Sequence, residues 1–336
     1  MSQTSRTSGL SAGLTAHLLW GVFPLYFKLL DQAGALEIVA HRIWWACVVC
    51  ALCLTVRRAW RDVAAVWRRP RLALRLALAG ALISLNWLLY VWAVVNDQVV
   101  DAALGYFINP LVTVALAIVV LRERLRRAQW LALGCGAVAV AVIVIGYGQF
   151  PWVGLGLAVT FSLYSLAKNR VGHQTTPLVG LGFETAAVTP LALAGLIWFQ
   201  ASGQSHFVGH GTWYTVGLIG TGVITAGPLI LFAIGAARLP LSTLALLQYV
   251  TPLMQFSIGV WLFHEQMPLA RWVGFALIWV ALGILSFDGL RAARRRRTGD
   301  RPEPEERPEP KDRSEPDDQT GTENRPAAGI EPTGPE

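Results

Sequence analysis

The stretch LGYFINPL at residues 104–111 decides how this sequence folds, because it places polar groups inside a long apolar run. A glycine, a tyrosine, an asparagine and a proline occur together there, although apolar runs of this length are typical of membrane-spanning helices. The related stretch LLQYVTPL lies 142 residues later, at 246–253, with its proline in the same place. Polar groups at matching places in two apolar segments indicate an internal repeat and mark candidate functional residues.

The composition is that of an integral membrane protein rather than of a soluble domain. Hydrophobic residues make up 54% of the chain and charged residues only 15%. Ten apolar segments are long enough to cross about 30 Å of hydrocarbon. They lie at residues 10–30, 36–56, 72–95, 99–121, 128–147, 151–167, 177–200, 213–236, 241–263 and 271–290. Because the segments lack the alternation of barrel strands, the sequence predicts an all-α polytopic membrane protein of ten transmembrane helices.

The net charge of +7 does not indicate a nucleic-acid partner, because the basic residues follow the loops. Basic residues occur in every second loop, namely 57–71, 122–128, 168–176, 237–240 and the exit from the last segment. The loops between them contain neither Lys nor Arg, namely 31–35, 96–98, 148–150, 201–212 and 264–270. The positive-inside rule therefore predicts that both termini are cytoplasmic and that the lipid bilayer is the surrounding partner. We call the second set of loops the predicted outer end and the first set the predicted inner end.

The offset of 142 residues divides the chain into two halves of five segments each. It aligns Arg42 with Glu184 inside corresponding segments. Because five is an odd number, the two halves must have opposite orientations in the bilayer, which is the usual basis of alternating access. We expect a first five-helix repeat at 1–147, a second, inverted repeat at 148–290, and a cytoplasmic basic cluster with a disordered Pro/Glu-rich tail at 291–336.

Five longer motifs resemble a known family. They are WGVFPLYFKLL (20–30), EIVAHRIWW (37–45), NWLLYVWAVVN (86–96), LGYFINPL (104–111) and LLQYVTPLMQF (246–256). Together they resemble the RarD group of EamA transporters, which belongs to the drug/metabolite transporter superfamily. The resemblance covers about residues 10–290 and leaves out the tail. It implies ten helices in two EamA repeats, a location in the bacterial inner membrane and export of small metabolites or drugs.

Charged residues inside the segments need a physical reason, because inserting each costs about 2.5–3.5 kcal/mol. Arg42 follows His41 and lies near Glu37 on the second segment, which predicts an anion or carboxylate site with His41 as a pH-sensitive neighbour. The alternative is that Arg42 reaches the outer interface along its own long stem. Glu184 has a short stem, so it either pairs with a cation or carries a proton. It is the candidate for proton coupling, and a structural ion pair is the alternative.

Uncharged polar side chains recur on matched segments and predict a cavity for a polar or aromatic small molecule. They lie on the third segment (Asn86 and Tyr90), the fourth (Tyr106, Asn109 and Thr113) and the ninth (Gln248, Tyr249 and Gln255), and Trp20 adds stacking surface. Hydrogen bonding between helices alone is the alternative, worth about 0.6 kcal/mol on average. With His41 and Arg42, these side chains form the predicted substrate-binding set.

Other singular residues fit a structural role better. His17 is expected to pack among apolar neighbours, and Glu123, flanked by arginines, to form an ion pair within its loop. The cysteines at 47, 50 and 53 lack a histidine or second cysteine pair that would complete a metal site. Neither a metal nor a cofactor is predicted.

The sequence favours a secondary transporter that moves a small metabolite or drug-like molecule by alternating access. The resemblance implies export, and Glu184 is the reason to expect coupling to the proton gradient. It contains no GxxxxGK[ST] motif, so ATP is not expected to be the direct energy source. A membrane-embedded enzyme is the first alternative, although neither HExxH nor a nucleophile elbow is present. A channel or a structural membrane protein is the second. A homodimer remains open alongside a monomer.

Overall fold

The structure, a computed structural model, describes residues 3–121, 125–171, 174–239 and 241–299. Within these ranges the chain is helical and has no β-strand, which confirms the predicted all-α class. The α-helices are α1 (Gln3–Gly21), α2 (Phe23–Lys28), α3 (Gly34–Val56), α4 (Trp60–Trp67), α5 (Pro70–Val95), α6 (Val99–Leu121), α7 (Arg127–Tyr147), α8 (Trp152–Val171), α9 (Pro177–Ala201), α10 (Thr212–Ala236), α11 (Leu241–Leu247), α12 (Val250–Ser257) and α13 (Leu269–Gly299). A 3₁₀ turn at Asp31–Ala33 and a π-helix at Ile258–Leu262 join them.

Eight stretches of the described residues are long and apolar enough to cross a membrane. The first combines most of α1 with α2, and the others are formed by α3, α5, α6, α7, α9, α10 and α13. These stretches coincide with eight of the ten predicted segments. The predicted sixth and ninth segments differ from the expectation, each for its own reason.

The sixth segment is helical but more polar than the others. α8 is 20 residues long, and its last turn carries Lys168 and Arg170. Hydroxyl groups at Thr160 and Ser162 lower its mean hydropathy further. These residues explain why α8 is less apolar than the eight spanning stretches.

The ninth segment is not the continuous helix predicted at 241–263. The helix is interrupted by a turn at Gln248 and Tyr249 and resumes as α12, which passes into the π-helix. Pro252 contributes to this break, because it has no N–H to donate to the carbonyl of Gln248 four residues earlier. The polar stretch of the second half therefore interrupts its helix, whereas α6 continues through Pro110.

Two close helix contacts, related by the 142-residue offset, hold the interior together. α10 packs on α3 where Gly222 meets the backbone of Trp45, and α5 packs on α9 where Gly80 meets the backbone of Glu184. A Cβ atom at either glycine would overlap the facing backbone, so only glycine permits the approach. The same offset relates the contact of α1 with α10 to that of α8 with α5.

The predicted outer loops meet at one end of the helix bundle. Lys28 Nζ lies 2.7 Å from Asp97 Oδ1, which joins the end of α2 to the loop before α6. Glu37 on α3 accepts hydrogen bonds from the backbone N–H of His206 at 2.8 Å and from its Nδ1 at 2.9 Å. These contacts connect loops that are distant in sequence, as the alternation of basic residues requires.

Glu265, at the same end, covers the N-terminus of α6. Its two carboxylate oxygens accept hydrogen bonds from the backbone N–H groups of Val99 at 2.6 Å and Val100 at 2.9 Å. Next to it, Arg271 forms an ion pair with Asp101 in the first turn of α6. Burial raises the pKa of Glu265 to about 7, although the two N–H donors and Arg271 act in the opposite direction.

The chain divides into two units, Met1–Ala293 and Arg294–Glu336. Residues 300–336, which include most of the predicted Pro/Glu-rich tail, lie outside the described residues. So does Glu123, for which an ion pair within its loop was predicted.

Replacing Gly222 by alanine should destabilise the protein, because the added Cβ would separate α10 from α3. Overpacking of this kind costs about 1–3 kcal/mol. Gly227→Ala, on the same helix, is the matched control. Apart from the neighbouring backbone of α10 itself, no heavy atom lies within 4 Å of a Cβ placed there. Thermal unfolding in detergent should show a lower melting temperature for Gly222→Ala alone. Equal melting temperatures for the two variants would contradict the packing argument.

Rising pH should weaken the fold through Glu265. The folded state holds the proton more tightly than the unfolded chain, whose carboxyl titrates near 4.5, so this group's contribution to the free energy of unfolding falls as the pH rises from about 4.5 to about 7. Glu265→Gln cannot ionise, so its melting temperature should fall less than that of the wild type over this range. Asp62→Asn, an exposed carboxylate on α4, is the control and should behave like the wild type.

Candidate functional site

A cavity of about 360 Å³ lies where both halves of the chain contribute helices. This volume suits a small organic molecule. Nine of the eleven residues predicted to bind substrate line the cavity: Trp20, Arg42, Asn86, Tyr90, Tyr106, Asn109, Gln248, Tyr249 and Gln255. The lining is largely aromatic and aliphatic, and among the described residues that form it Arg42 is the one with a permanent charge.

Arg42 is buried in this lining, with 4% of its surface exposed. Its guanidinium carbon lies 4.3 Å from the ring centre of Trp87 and 5.3 Å from that of Phe27. Its Nε donates a hydrogen bond to Thr225 Oγ1 at 3.0 Å. Its Nη1 is buried and has no hydrogen-bond partner among the described residues. The burial of Arg42 opposes the alternative in which its side chain reaches the outer interface.

Gln255 connects α12 to the first half of the chain. Its Nε2 donates hydrogen bonds to the Trp20 carbonyl and to the Tyr90 hydroxyl, each at 3.1 Å. Only 2% of the residue is exposed, and its Oε1 has no partner within the described ranges. The amide is therefore fixed in orientation, with one acceptor left over beside the cavity.

His17 lines the same wall, although a packing role was predicted for it. Its Nδ1 lies 3.1 Å from Thr251 Oγ1, and this hydroxyl donates its proton to the backbone carbonyl of His17 at 3.0 Å. The hydroxyl proton is thus used, so Nδ1 must carry the proton of the ring and donate it to Thr251. Nε2 is left as an acceptor, buried and with no partner among the residues described.

The two asparagines of the predicted set are held by α8. Asn86 Nδ2 donates to the carbonyl of Leu157 at 3.0 Å and to Thr160 Oγ1 at 2.9 Å. Asn109 Oδ1 accepts a hydrogen bond from Ser162 Oγ at 2.7 Å. Both therefore line the cavity while joining helices of the two halves, as the structural alternative allowed.

Tyr106 and Gln248, which occupy corresponding positions in the two halves of the repeat, both line the cavity. The ring centres of Tyr106 and Tyr90 are 5.9 Å apart, and Tyr106 also contacts Phe161 edge-on at 6.5 Å. Gln248 lies in the break between α11 and α12 and is exposed. Its position is therefore set by the interrupted helix rather than by a regular one.

Three predicted residues do not line the cavity. His41 packs below the outer loop, where its ring stacks on Phe207 at 4.8 Å, so it is not the neighbour of Arg42 that the sequence suggested. Thr113 lies one turn beyond Asn109 and contacts Ser162 at 2.9 Å. Glu184 pairs with Lys168 Nζ at 2.5 Å and accepts a hydrogen bond from Tyr164 at 3.3 Å, an arrangement that both the proton-coupling role and its structural alternative allow.

The sequence missed several lining residues, and Thr225 is the most consequential. A single threonine within an apolar helix carries no signal, because Ser and Thr commonly bond to their own backbone there. Thr225 does so, donating to the carbonyl of Thr221 at 2.7 Å while accepting from Arg42. Within the described ranges, no group of three or more metal-ligating side chains is arranged to hold an ion.

Comparison with known proteins agrees with this architecture. Residues 7–145 match the EamA-like transporter family. The chain is 48% identical to Protein RarD of Streptomyces exfoliatus, covering 88% of this chain and 93% of that one. It is 38% identical to the uncharacterized transporter YojE of Bacillus subtilis, with coverages of 89% and 100%.

Two further comparisons extend the likeness. Protein RarD of Escherichia coli is 35% identical, over 88% of this chain and 99% of that one. A crystal structure of a protein 20% identical to this chain superposes with a TM-score of 0.52 and shows a shared fold over 83% of this chain and 97% of that one. The three relatives that are 35–48% identical match over 93–100% of their own length. The chain therefore belongs to the EamA family of membrane transporters and, within it, to the RarD group.

Proposed function

We propose that the protein is a secondary transporter that exports a small metabolite or drug-like molecule across the bacterial inner membrane by alternating access, driven by the proton gradient. One observation carries the proposal. The cavity is lined by both halves of the chain, and Tyr106 and Gln248, which occupy the same place in the repeat, both reach it. A site shared between halves is the arrangement that alternating access requires.

The proposal includes ten spanning helices in two inverted five-helix repeats, at 1–147 and 148–290. Eight of the described stretches have the length and hydropathy of a membrane span. α8, the predicted sixth segment, and the interrupted α11 and α12, the predicted ninth segment, bring the number of spans to ten. An interrupted helix is typical of transporters that bind substrate near the midplane. Helix contacts that recur at the 142-residue offset, such as those at Gly80 and Gly222, support the repeat.

The orientation with both termini in the cytoplasm follows from the basic loops. The surrounding bilayer and a small-molecule substrate are the partners of this proposal. A membrane-embedded enzyme and a channel are the competing functions. A polar residue set placed around one cavity favours a carrier, because a carrier holds its substrate before releasing it to the other side.

Transport can be measured before the substrate is identified. Liposomes that contain the purified protein are loaded with an unlabelled small-molecule extract of cells. They are then placed in a ¹³C-labelled extract of the same kind. Mass spectrometry should detect saturable entry of particular labelled compounds, in exchange for internal ones, and none in empty liposomes. Entry that does not saturate would indicate a channel, and no entry would contradict transport.

Tyr106→Ala and Gln248→Ala should each abolish this exchange, because each removes a side chain that lines the cavity. Both variants should insert into the membrane at wild-type levels, measured by fluorescence-detected size exclusion. Gln200→Ala, an exposed position near the end of α9, is the matched control and should exchange normally. Normal exchange in both cavity variants would show that the cavity does not hold the substrate.

Glu184→Gln should remove the response of transport to a pH gradient while sparing exchange. Glu184 is fully buried and pairs with Lys168, so it is placed to trade a proton against that ion pair. The measurement compares net uptake in the same liposomes with and without an imposed gradient. Asp288→Asn, which changes an ion pair with Arg126, is the control. An undiminished gradient response in Glu184→Gln would leave Glu184 with a structural role only.

A further inference from the structure

We infer that the cavity takes an organic anion that carries a flat apolar part and a hydrogen-bond donor. The inference rests on the proposed function, since it names the class of molecule that the transporter would move. It is drawn from the unpaired polar atoms of the cavity wall and from the sign of its charge.

The first step concerns the charge of Arg42. Six carboxylates of the membrane-spanning helices and their ends have a cationic or imidazole partner in the structure: Asp31, Asp97, Asp101, Asp288, Glu37 and Glu184. Arg42 has none among the described residues, and no Asp or Glu of those residues lines the cavity. A buried cation without a counter-ion strongly favours an anion as its neighbour.

The second step concerns the geometry of the guanidinium. One face is covered by the ring of Trp87 at 4.3 Å, and Nε is used by Thr225. Nη1 remains buried and unpaired in the described part of the chain. Arg binds carboxylates and phosphates through adjacent N–H groups, so an anionic group placed at Nη1 would complete its hydrogen bonding.

The third step concerns the wall formed by α1 and α12. Gln255 Oε1 and His17 Nε2 are both buried acceptors without a described partner, and both residues line the cavity. Gln255 cannot turn its amide around without losing the bond to the Trp20 carbonyl, which can only accept. An O–H or N–H on the bound molecule would satisfy either acceptor, and leaving such groups unpaired is costly.

The fourth step concerns the rest of the lining. Rings of Trp20, Phe232, Tyr106 and Phe161 face the volume between these polar atoms. Trp20 and Phe232 are 5.7 Å apart between ring centres. Such surfaces favour a flat apolar body, which distinguishes the expected molecule from a small inorganic anion.

Equilibrium binding to the full-length protein in lipid nanodiscs tests the inference, with radiolabelled 4-hydroxyphenylacetate as the probe. This molecule has a carboxylate, an aromatic ring and a hydroxyl donor. Three competitors each change one group: 4-hydroxyphenylacetamide lacks the negative charge, tyramine carries a positive charge, and phenylacetate lacks the hydroxyl. We expect saturable binding of the probe, with the amide and tyramine competing at least about tenfold more weakly and phenylacetate severalfold more weakly.

Variants of Arg42 locate the charge selectivity. Arg42→Gln should lose the preference for the acid over the amide, whereas Arg42→Lys should keep the preference for the acid over tyramine. Gln255→Leu should lose the preference for the hydroxylated acid over phenylacetate. Monodisperse elution of each variant is the check on folding, and the wild-type competition series does not depend on any variant.

Several results would overturn the inference: no saturable binding of the probe, equal competition by acid and amide, or selectivity that survives in Arg42→Gln. Equal competition by phenylacetate would overturn the part that concerns the donor. The exchange assay keeps the two proposals apart. Exchange restricted to neutral or cationic compounds would contradict the assignment of an anion but support transport. Binding of the anion without exchange would contradict transport but support the assignment.

Discussion

The burial of the Arg42 guanidinium without a carboxylate is the constraint on which the interior of this protein depends. A charged side chain in a membrane-spanning helix costs about 2.5–3.5 kcal/mol. Contacts between a cation and aromatic rings, strongest for Trp and weaker for Phe, offset about 0.5–2 kcal/mol each. Trp87, Phe27 and Phe23 supply three such rings, from α5 and α2. Two elements, α2 and α5, must therefore stay against α3 for the charge to be tolerated, and Phe23 and Trp87 line the cavity together with Arg42.

The internal repeat explains how such a charge can occupy a fold that is nearly symmetric. Gly80 and Gly222 occupy the same place in the two halves and make equivalent close contacts with the partner helix. The helices that face these glycines differ in charge, since Arg42 on α3 corresponds in the repeat to Glu184 on α9. Duplication thus preserved the backbone packing, which tolerates no added atom, while the polar side chains diverged.

Much of this arrangement follows from the sequence, and the exceptions have physical reasons. Hydropathy and the basic loops are averages over many residues, so the helices and the joining of the outer loops were predictable. The break at Gln248 was not, because Pro110 stands in the same place of the first half and leaves α6 unbroken. A proline weakens a helix, but tertiary packing decides whether the helix breaks.

The sequence likewise predicted some residues of the candidate site and not others. Polar residues that recur in both halves, such as Tyr106 and Gln248, could be assigned to the cavity from the repeat alone. His41 does not line it, because adjacent positions of a helix point about 100° apart and His41 and Arg42 therefore lie on different sides of α3. Thr225 could not be included, because its role is to accept one bond from a residue 183 positions away.

Glu184 and Arg42, which correspond in the repeat, differ in whether the protein supplies a partner of opposite charge. Glu184 has Lys168 and Tyr164 as partners, so its carboxylate already has a cation and a hydrogen-bond donor within the protein. Arg42 has rings and one hydroxyl, which offset part of the desolvation but neutralise none of the charge. An anion that enters the cavity would gain an attraction that the protein does not already use, and an anion near Glu184 would not. The capacity for charge-selective binding therefore belongs to the first half of the chain, even though both halves build the cavity.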